Sequence, residues 1–549
     1  MNSIEVRKLL CLGLCLSFGL YVYIVFNVAL VNDDYMALYT TWLMSSGKVP
    51  EVDFNVDSYT LLFDWMAPIY YLIGEQFEIV YVFRSVFLLV LCAISCQVYV
   101  LIRYFFSINI ALTTLLLLFS SSAMIARGID LRPDLIILFL WLQTIIILYV
   151  QRNSDAKKMF WAGFFLALAI LFKFKAILIC AVIGVYELAR LSEKWSIRAL
   201  IIDFCALLSG VALCAVLSTA TIGLPSLNLF FDTTRDLFFY SSTHNSDGNS
   251  LKFNVLVQYF IRDILFWLLV LTGMRISIIE RRTLSSIQRQ CLIVVFLLVV
   301  LSIAANPHYH AYNLVTLYPL VALFVAFSVQ YAVTSTEKWT KARVSFYIAV
   351  FVILLVRAGQ YPIRHSNEHQ IALQTFIEQQ TQKDDAVFAF EGIGLFRPST
   401  YHWRTSAIKI ENYHGGNYNV WDQLQEVKPI LVIENYRVPS WLLENDHHQL
   451  YQHYVSIAPS LLTLGLLTES SVKGKLLRSG WYVIESDKTE SCFIDGSEVA
   501  VGEKLWLDKG SHVLMTEKGS CTLHWSFPID AITTLSQSNI DGRPYLFIP

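Results

Sequence analysis

Apolar runs of about 15 to 22 residues, the length an α-helix needs to cross ~30 Å of hydrocarbon, recur along the first two-thirds of the chain. They lie near 9–31, 80–102, 108–126, 135–150, 159–172, 176–190, 199–222, 260–279, 290–305, 311–333 and 344–359. The pattern predicts about eleven membrane-spanning helices. After residue 360 it changes. HQIALQTFIEQQ (369–380) has the spacing of an amphipathic helix, AVFAF (386–390) and PILVIE (429–434) read as buried strands, and NVWDQLQEV (419–427) reads as a helix between them. From 473 onward the runs shorten and alternate around Gly turns, as in GWYVIES, SCFIDG, KLWLDKG and SHVLM, which predicts a compact sandwich or barrel. The expected fold is a mainly α, polytopic helical bundle (1–359) followed by an α/β subdomain (360–472) and a β subdomain (473–549).

Composition supports this division. With 55% hydrophobic residues, 15% charged residues and a mean hydropathy of +0.52, the chain is too apolar for a soluble protein with one core. A net charge of -2 gives no electrostatic reason to expect nucleic acid. The distribution of basic residues says more. Arg7 and Lys8, Arg103, Arg152 with Lys157 and Lys158, Arg190 with Lys194 and Arg198, Arg281 with Arg282 and Arg289, and Lys338 with Lys341 and Arg343 all fall on one side of the spans. By the positive-inside rule that side is cytoplasmic. The first large loop (32–79) is then outside, and an odd number of spans sends the C-terminal part outside with it. The first run has no small-residue cleavage site after it and reads as a retained span. Eight of the ten cysteines sit in apolar runs, where a free thiol behaves as a small hydrophobe. Cys492 and Cys521 are in polar sequence on the oxidising side and are expected to form a disulfide.

Candidate chemistry gathers at the outer ends of the spans. Asp33 and Asp34 follow the first run, although a solvated loop start also explains one carboxylate there. Arg84 lies just inside the second span, and ARGIDLRPDL (126–135) carries Arg127, Arg132 and Asp134, with Pro133 suited to a helix start. Lys173 and Lys175 in ILFKFKAIL have apolar flanks on both sides, which snorkelling to an interface explains poorly. NPHYHAYNLVTLYPL places His308, Tyr309, His310 and Tyr312 at the start of another span. Cations beside carboxylates at a membrane surface suit an anionic lipid headgroup, with Arg84, Arg132, Lys173 and Lys175 as phosphate ligands. Asp134, His308, Tyr309 and His310 are candidates for the rest of the substrate. A loop at about 223–259 holds Phe230, Phe231, Phe238, Phe239 and Tyr240 around Asp232, Arg235 and Asp236, and reads as an interfacial aromatic belt or a substrate lid. No Cys/His spacing of the zinc type occurs, and no cofactor is implied. The two carboxylates leave a divalent cation open as a ligand.

Together these pieces resemble the GT-C class of integral-membrane glycosyltransferases, in the branch of protein O-mannosyltransferases and the lipid A aminoarabinose transferase. The resemblance covers about residues 10–335. It rests on the Asp33–Asp34 doublet, Gly47 and Pro50 in the first outer loop, the Pro68, Gly74, Arg84 series, the Arg-Pro-Asp turn at 132–134, the Lys173 turn and the HYHAYNLVTLYPL span. One feature departs. Where the aminoarabinose-transferase pattern has Glu-Lys-Pro in the first loop, this chain reads NVDSYTLLFDW (55–65), with no basic residue.

The resemblance implies inverting transfer of a sugar from a polyprenyl-phosphate donor to a lipid, glycan or protein acceptor on the outer face, in a bacterial inner membrane. Asp33 would be the general base and Asp34 would orient it. The competing reading is a transporter or flippase of lipid-linked saccharide, which calls for charges at mid-span along a path. The odd span count predicts that residues 40 and 450 lie on the same, outer side. Cysteines introduced at both positions should react with an impermeant thiol reagent; protection of one but not the other contradicts this topology.

Overall fold

The computed structural model describes residues 3–54, 56, 59–193, 196–243, 248–304, 310–334, 352, 356, 365–390, 392–400, 413–417, 419–435, 437–488 and 491–538. It has the mainly α membrane bundle and the β-rich C-terminal region that the hydropathy pattern predicts. The described part of the bundle comprises α1 (Ser3–Asn27), α2 (Asn32–Ser45), α3 (Leu61–Ile73), α4 (Ile79–Phe105), α5 (Ile108–Phe119), α6 (Ser122–Arg127), α7 (Pro133–Ile145), α8 (Asp155–Phe172), α9 (Ile179–Glu193), α10 (Ile197–Thr243), α11 (Gly248–Arg262), α12 (Ile264–Ile279), α13 (Ser286–Ala304) and α14 (Leu314–Thr334). Among the described residues six helices are long and apolar enough to cross a membrane, or seven if the bent pair α11–α12 is one span. The chain is an integral membrane protein.

Three segments differ from the sequence pattern or escape it. The apolar stretch 108–126 is two helices, α5 and α6. The cause is local, because the Ser120 and Ser121 hydroxyls donate to the carbonyls of Leu117 and Leu118 at 2.9 and 2.7 Å and compete with the helical ladder. The aromatic segment expected as a loop at 223–259 is helical in its described residues, within α10 up to Thr243 and in α11 from Gly248. Gly223 takes φ +81° and stops one helix, and Pro225 sits where a second begins, so the aromatic residues continue α10 after a kink. The apolar run at 344–359 lies outside the described residues apart from two isolated positions.

The chain divides into two compact units. The first holds Met1–Phe26, Ser58–Trp65 and Tyr81–Arg364, and the second holds Asn27–Asp57, Met66–Val80 and His365–Pro549. In the first unit α14 is the central helix, with nearly all of its span buried. Two helix pairs approach closely enough to need glycine. A Cβ on Gly210 of α10 would lie 1.9 Å from the Phe160 carbonyl oxygen of α8, and one on Gly163 of α8 would lie 2.2 Å from the Leu207 carbonyl oxygen of α10. On α12, Gly273 faces the Phe324 oxygen of α14 in the same way. In a bilayer, where hydrocarbon gives no hydrophobic drive between helices, such backbone contact supplies much of the packing attraction.

The second unit is organised around β1 (Val387–Phe388), β2 (Leu431–Ile433), β3 (Tyr454–Ala458), β4 (Leu461–Thr468), β5 (Ser471–Leu476), β6 (Gly480–Ser486), β7 (Ser491–Ile494), β8 (Ser497–Ala500), β9 (Lys504–Leu507), β10 (Gly510–Met515) and β11 (Cys521–Trp525). One sheet runs β1-β2-β4-β11-β6-β9 with β3 also on β4, and a second runs β5-β10-β7-β8. The first sheet therefore takes strands from both sides of residue 472. Among the described strands only β1 and β2 pair in parallel, with α15 (Glu368–Gln380) before β1 and α16 (Val420–Val427) between the two along the chain, and the other pairings are antiparallel. Phe388, Tyr413, Leu424, Leu450, Tyr454, Leu464, Tyr482 and Leu523 fill the core between them. Cys492 and Cys521 are joined by a disulfide with their Cα atoms 6.4 Å apart.

The first outer loop belongs to this second unit as well. The Gln370 side-chain amide accepts from the Leu30 N–H at 2.7 Å and donates to the Leu30 carbonyl at 2.9 Å, so it replaces a strand partner for the residue that leads into α2. Tyr39 donates to the Arg397 carbonyl at 3.0 Å, and Gly392, at φ +72°, lets the backbone pass against the Tyr39 side chain. Trp42 donates to Glu75 at 2.9 Å, and Lys383 pairs with the same carboxylate at 2.8 Å.

The glycine contacts set the first stability test. Gly210→Leu is expected to force α8 and α10 apart and to cost about 1–3 kcal/mol, read as a lower melting temperature in detergent. Gly184→Ala, where a Cβ meets nothing within 4 Å, should leave it unchanged.

Candidate functional site

In the first unit the turn between α6 and α7 is built for compactness. The Gly128 N–H bonds the Met124 carbonyl at 2.8 Å, and the Arg132 N–H bonds the Asp130 carbonyl at 2.8 Å. Arg127 pairs with Asp130 at 3.5 Å. Pro133 then opens α7, and its missing N–H costs nothing there. This puts Asp134 in the first turn of α7, only 2% exposed.

The opposing wall comes from the break after α8. The helix ends at Phe172, Lys173 is extended, and a short 3-10 turn, Phe174–Leu178, leads into α9. Trp141 of α7 donates to the Ala176 carbonyl at 3.2 Å and ties that turn to α7. Both lysines consequently reach Asp134. Lys173 Nζ lies 3.7 Å from Oδ2, Lys175 Nζ is hydrogen-bonded to Oδ1, and Arg132 Nε is 3.3 Å from Oδ2. The start of α14 closes the group. Asn313 Oδ1 accepts from Lys175 at 3.0 Å, and the Tyr312 ring lies under the Arg132 guanidinium, 3.3 Å from its centroid, with Lys173 Nζ at 5.6 Å. The His310 ring stacks on Tyr312 at 5.2 Å and 25°.

Three basic side chains thus share one buried carboxylate, so among the contacts described here the bases outnumber the acid. A cation away from bulk water requires counter-charge, and a mobile anion such as a phosphate supplies it with charge-assisted hydrogen bonds. The two lysines keep about a quarter of their side-chain surface exposed, so the group is reachable.

The remaining sequence candidates fall as follows. Arg84 is 3% exposed on α4, with Nη1 3.5 Å from the Val25 carbonyl oxygen. His308 and Tyr309 lie outside the described residues. Asp33 and Asp34 belong to the second unit, in the first turn of α2. Asp34 is fully buried and accepts from the Val31 N–H at 3.3 Å, closing the start of the helix, while Asp33 is half-buried beside it. Among the described residues no three His, Cys, Asp or Glu side chains group to hold a metal ion. Asn313 escaped the sequence reading, since a lone amide in an apolar span gives no signal of its own.

The same arrangement of helices occurs in solved structures. Over 83% of its length the chain is similar to ArnT from Cupriavidus metallidurans bound to undecaprenyl phosphate, covering 98% of that chain with a TM-score of 0.54 and 12% sequence identity. The chain has a GT-C-like membrane glycosyltransferase fold. The apo structure of the same ArnT matches over 84% of this chain and 98% of its own, with a TM-score of 0.50 and 11% identity. At these identities the likeness is one of fold. No protein-family model and no curated protein matches the sequence. The GT-C-like bundle is what the ordered motifs of residues 10–335 imply, and the β-rich C-terminal region is what the short alternating runs after 473 predict.

Within this GT-C-like fold the charge balance around Asp134 gives a direct test. Asp134→Asn leaves three cations facing one another and is expected to cost about 3–5 kcal/mol. Thermal unfolding in detergent should show a lower midpoint, and added sulfate should raise that midpoint more in the variant than in the parent.

Proposed function

We propose that the protein is a glycosyltransferase that takes a sugar from a polyprenyl-phosphate donor and transfers it, with inversion, to a lipid, glycan or protein acceptor on the outer face of the membrane. The observation that carries this reading is the convergence of Arg132, Lys173 and Lys175 on Asp134 in a GT-C-like fold. ArnT, whose fold is similar, was solved with undecaprenyl phosphate bound, and a phosphate of that class is the anion that a membrane-side cation cluster suits.

In this reading Asp33 accepts the proton of the acceptor hydroxyl or amine as it attacks the anomeric carbon from the side opposite the phosphate. The bond from that carbon to the phosphate oxygen breaks, its electron pair stays on the oxygen, and the leaving polyprenyl phosphate gains a negative charge. Arg132, Lys173 and Lys175 stabilise that growing charge, with Arg84 as a further cation. Asp134 holds the three together, and Asp34 fixes the helix turn on which Asp33 sits. His310 and Tyr312 offer a ring surface for the donor.

Mass analysis of membrane lipids and surface glycans from cells with and without the gene tests the reading. Loss of the gene should cause a polyprenyl-phosphate sugar to accumulate and one glycosylated product to disappear; identical profiles would count against any transferase. With a product in hand, Asp33→Asn should lower the rate about 10²- to 10⁴-fold and Asp34→Asn less. Lys173→Ala and Arg84→Ala should weaken donor use while leaving acceptor affinity nearly intact. An Asp33→Asn variant with full activity moves the base elsewhere.

A further inference from the structure

A second buried carboxylate lies in the first unit, and the chemistry above does not use it. Asp263, 3% exposed, occupies the one-residue break where α11 and α12 bend by 99°. Its carboxylate accepts from three groups on two other elements. The Ser122 N–H lies 3.0 Å from both oxygens, the Ser122 hydroxyl 2.6 Å from Oδ2, and the Tyr318 hydroxyl 2.8 Å from Oδ2. Trp267, one turn into α12, donates to the Tyr318 oxygen at 3.0 Å, and the Phe266 and Tyr318 rings stack at 4.9 Å and 12°. Tyr318 is fully buried.

The two elements held by Asp263 are those that carry the anion site. Ser122 is the first residue of α6, a six-residue helix that runs directly into the Arg127–Pro133 turn and so to Arg132 and Asp134. Tyr318 stands on α14 just over one turn after Asn313, the acceptor for Lys175, and Tyr312, the ring under Arg132. A short helix between two breaks has little rigidity of its own. Its end is fixed here by a charge-assisted bond to the backbone at Ser122, and the same carboxylate fixes α14.

We propose that Asp263 is a positioning residue for phosphate recognition, which sets the spacing between Arg132 on one side and Tyr312 and Asn313 on the other by clamping α6 to α14. This rests on the donor reading above. The Ser122 and Tyr318 donors are neutral, and the negative charge of the carboxylate adds strength to each of these bonds.

The test compares two ligands that differ only in the phosphate. Full-length protein in nanodiscs is titrated with undecaprenyl phosphate and with undecaprenol, and occupancy is read by native mass spectrometry. Asp263→Asn and Tyr318→Phe are each expected to weaken undecaprenyl-phosphate binding about 5- to 30-fold, as the loss of one charge-strengthened bond implies, and to leave undecaprenol binding as it was. Ser122→Ala, which keeps the backbone N–H, should lose less than either. A purely structural role would loosen both ligands together or neither, and either outcome overturns the proposal. Should Asp263→Asn fail to fold, Tyr318→Phe, which keeps the ring stack, carries the test alone. If the unaltered protein does not distinguish the two ligands, the donor reading falls and the positioning role falls with it; if it does distinguish them and the variants match it, only the positioning role falls.

Discussion

A carboxylate without water must have its charge met by the protein, and Asp134 meets that constraint with three basic side chains from two turns. Each turn is shaped accordingly. The Arg-Pro-Asp sequence gives α7 a start at which the acid faces inward, and the break at Lys173 replaces a continuous helix with an extended residue and a 3-10 turn, so that Lys173 and Lys175 both reach it. Asn313 and Tyr312 at the head of α14 complete the surround. One acid among three bases also has a chemical consequence. Among the contacts described here the bases outnumber the acid, which is what the proposed binding of an anion calls for.

The second unit shows a different economy of contacts. α2, which carries Asp33 and Asp34, is a 14-residue helix with a fully buried carboxylate at its third position. Negative charge is favoured at a helix N-terminus, and Asp34 also accepts the Val31 N–H, so its role is bound up with holding the turn. Asp33, one residue earlier, is half-buried, and in the proposed function it is the carboxylate that exchanges a proton. The helix itself is fixed by Gln370, Arg397 and Glu75 through Leu30, Tyr39 and Trp42. The proposed role of Asp33 as general base calls for such supporting contacts.

Much of this was legible in the sequence, and the reasons are specific. Spans and the C-terminal strands could be read because each element buries a continuous apolar stripe or face, as with Glu368–Gln380 and Gly480–Ser486. Lys173 and Lys175 could be singled out because a charge flanked by Phe and Leu has no cheap explanation. What escaped were features set by a few local bonds or by distant pairing. Serine hydroxyls at 120 and 121 break a run that hydropathy scores as uniform, and a Gly-Leu-Pro step makes a helix of a segment whose mixed aromatic and charged residues suggested a loop. The bonding of Leu30 to Gln370 spans 340 positions, and the convergence of Asp263 on Ser122 and Tyr318 spans 141 and 55. Single polar residues in apolar surroundings carry no pattern that reveals such partners.

In the proposed function the basic side chains around Asp134 receive a polyprenyl phosphate. An experimental structure of the full chain in nanodiscs with undecaprenyl phosphate tests it most directly. The phosphate is expected within hydrogen-bond reach of Arg132, Lys173 and Lys175, with Asp134 still joined to at least one of them. A headgroup bound elsewhere, with all three still closed on Asp134, would contradict it.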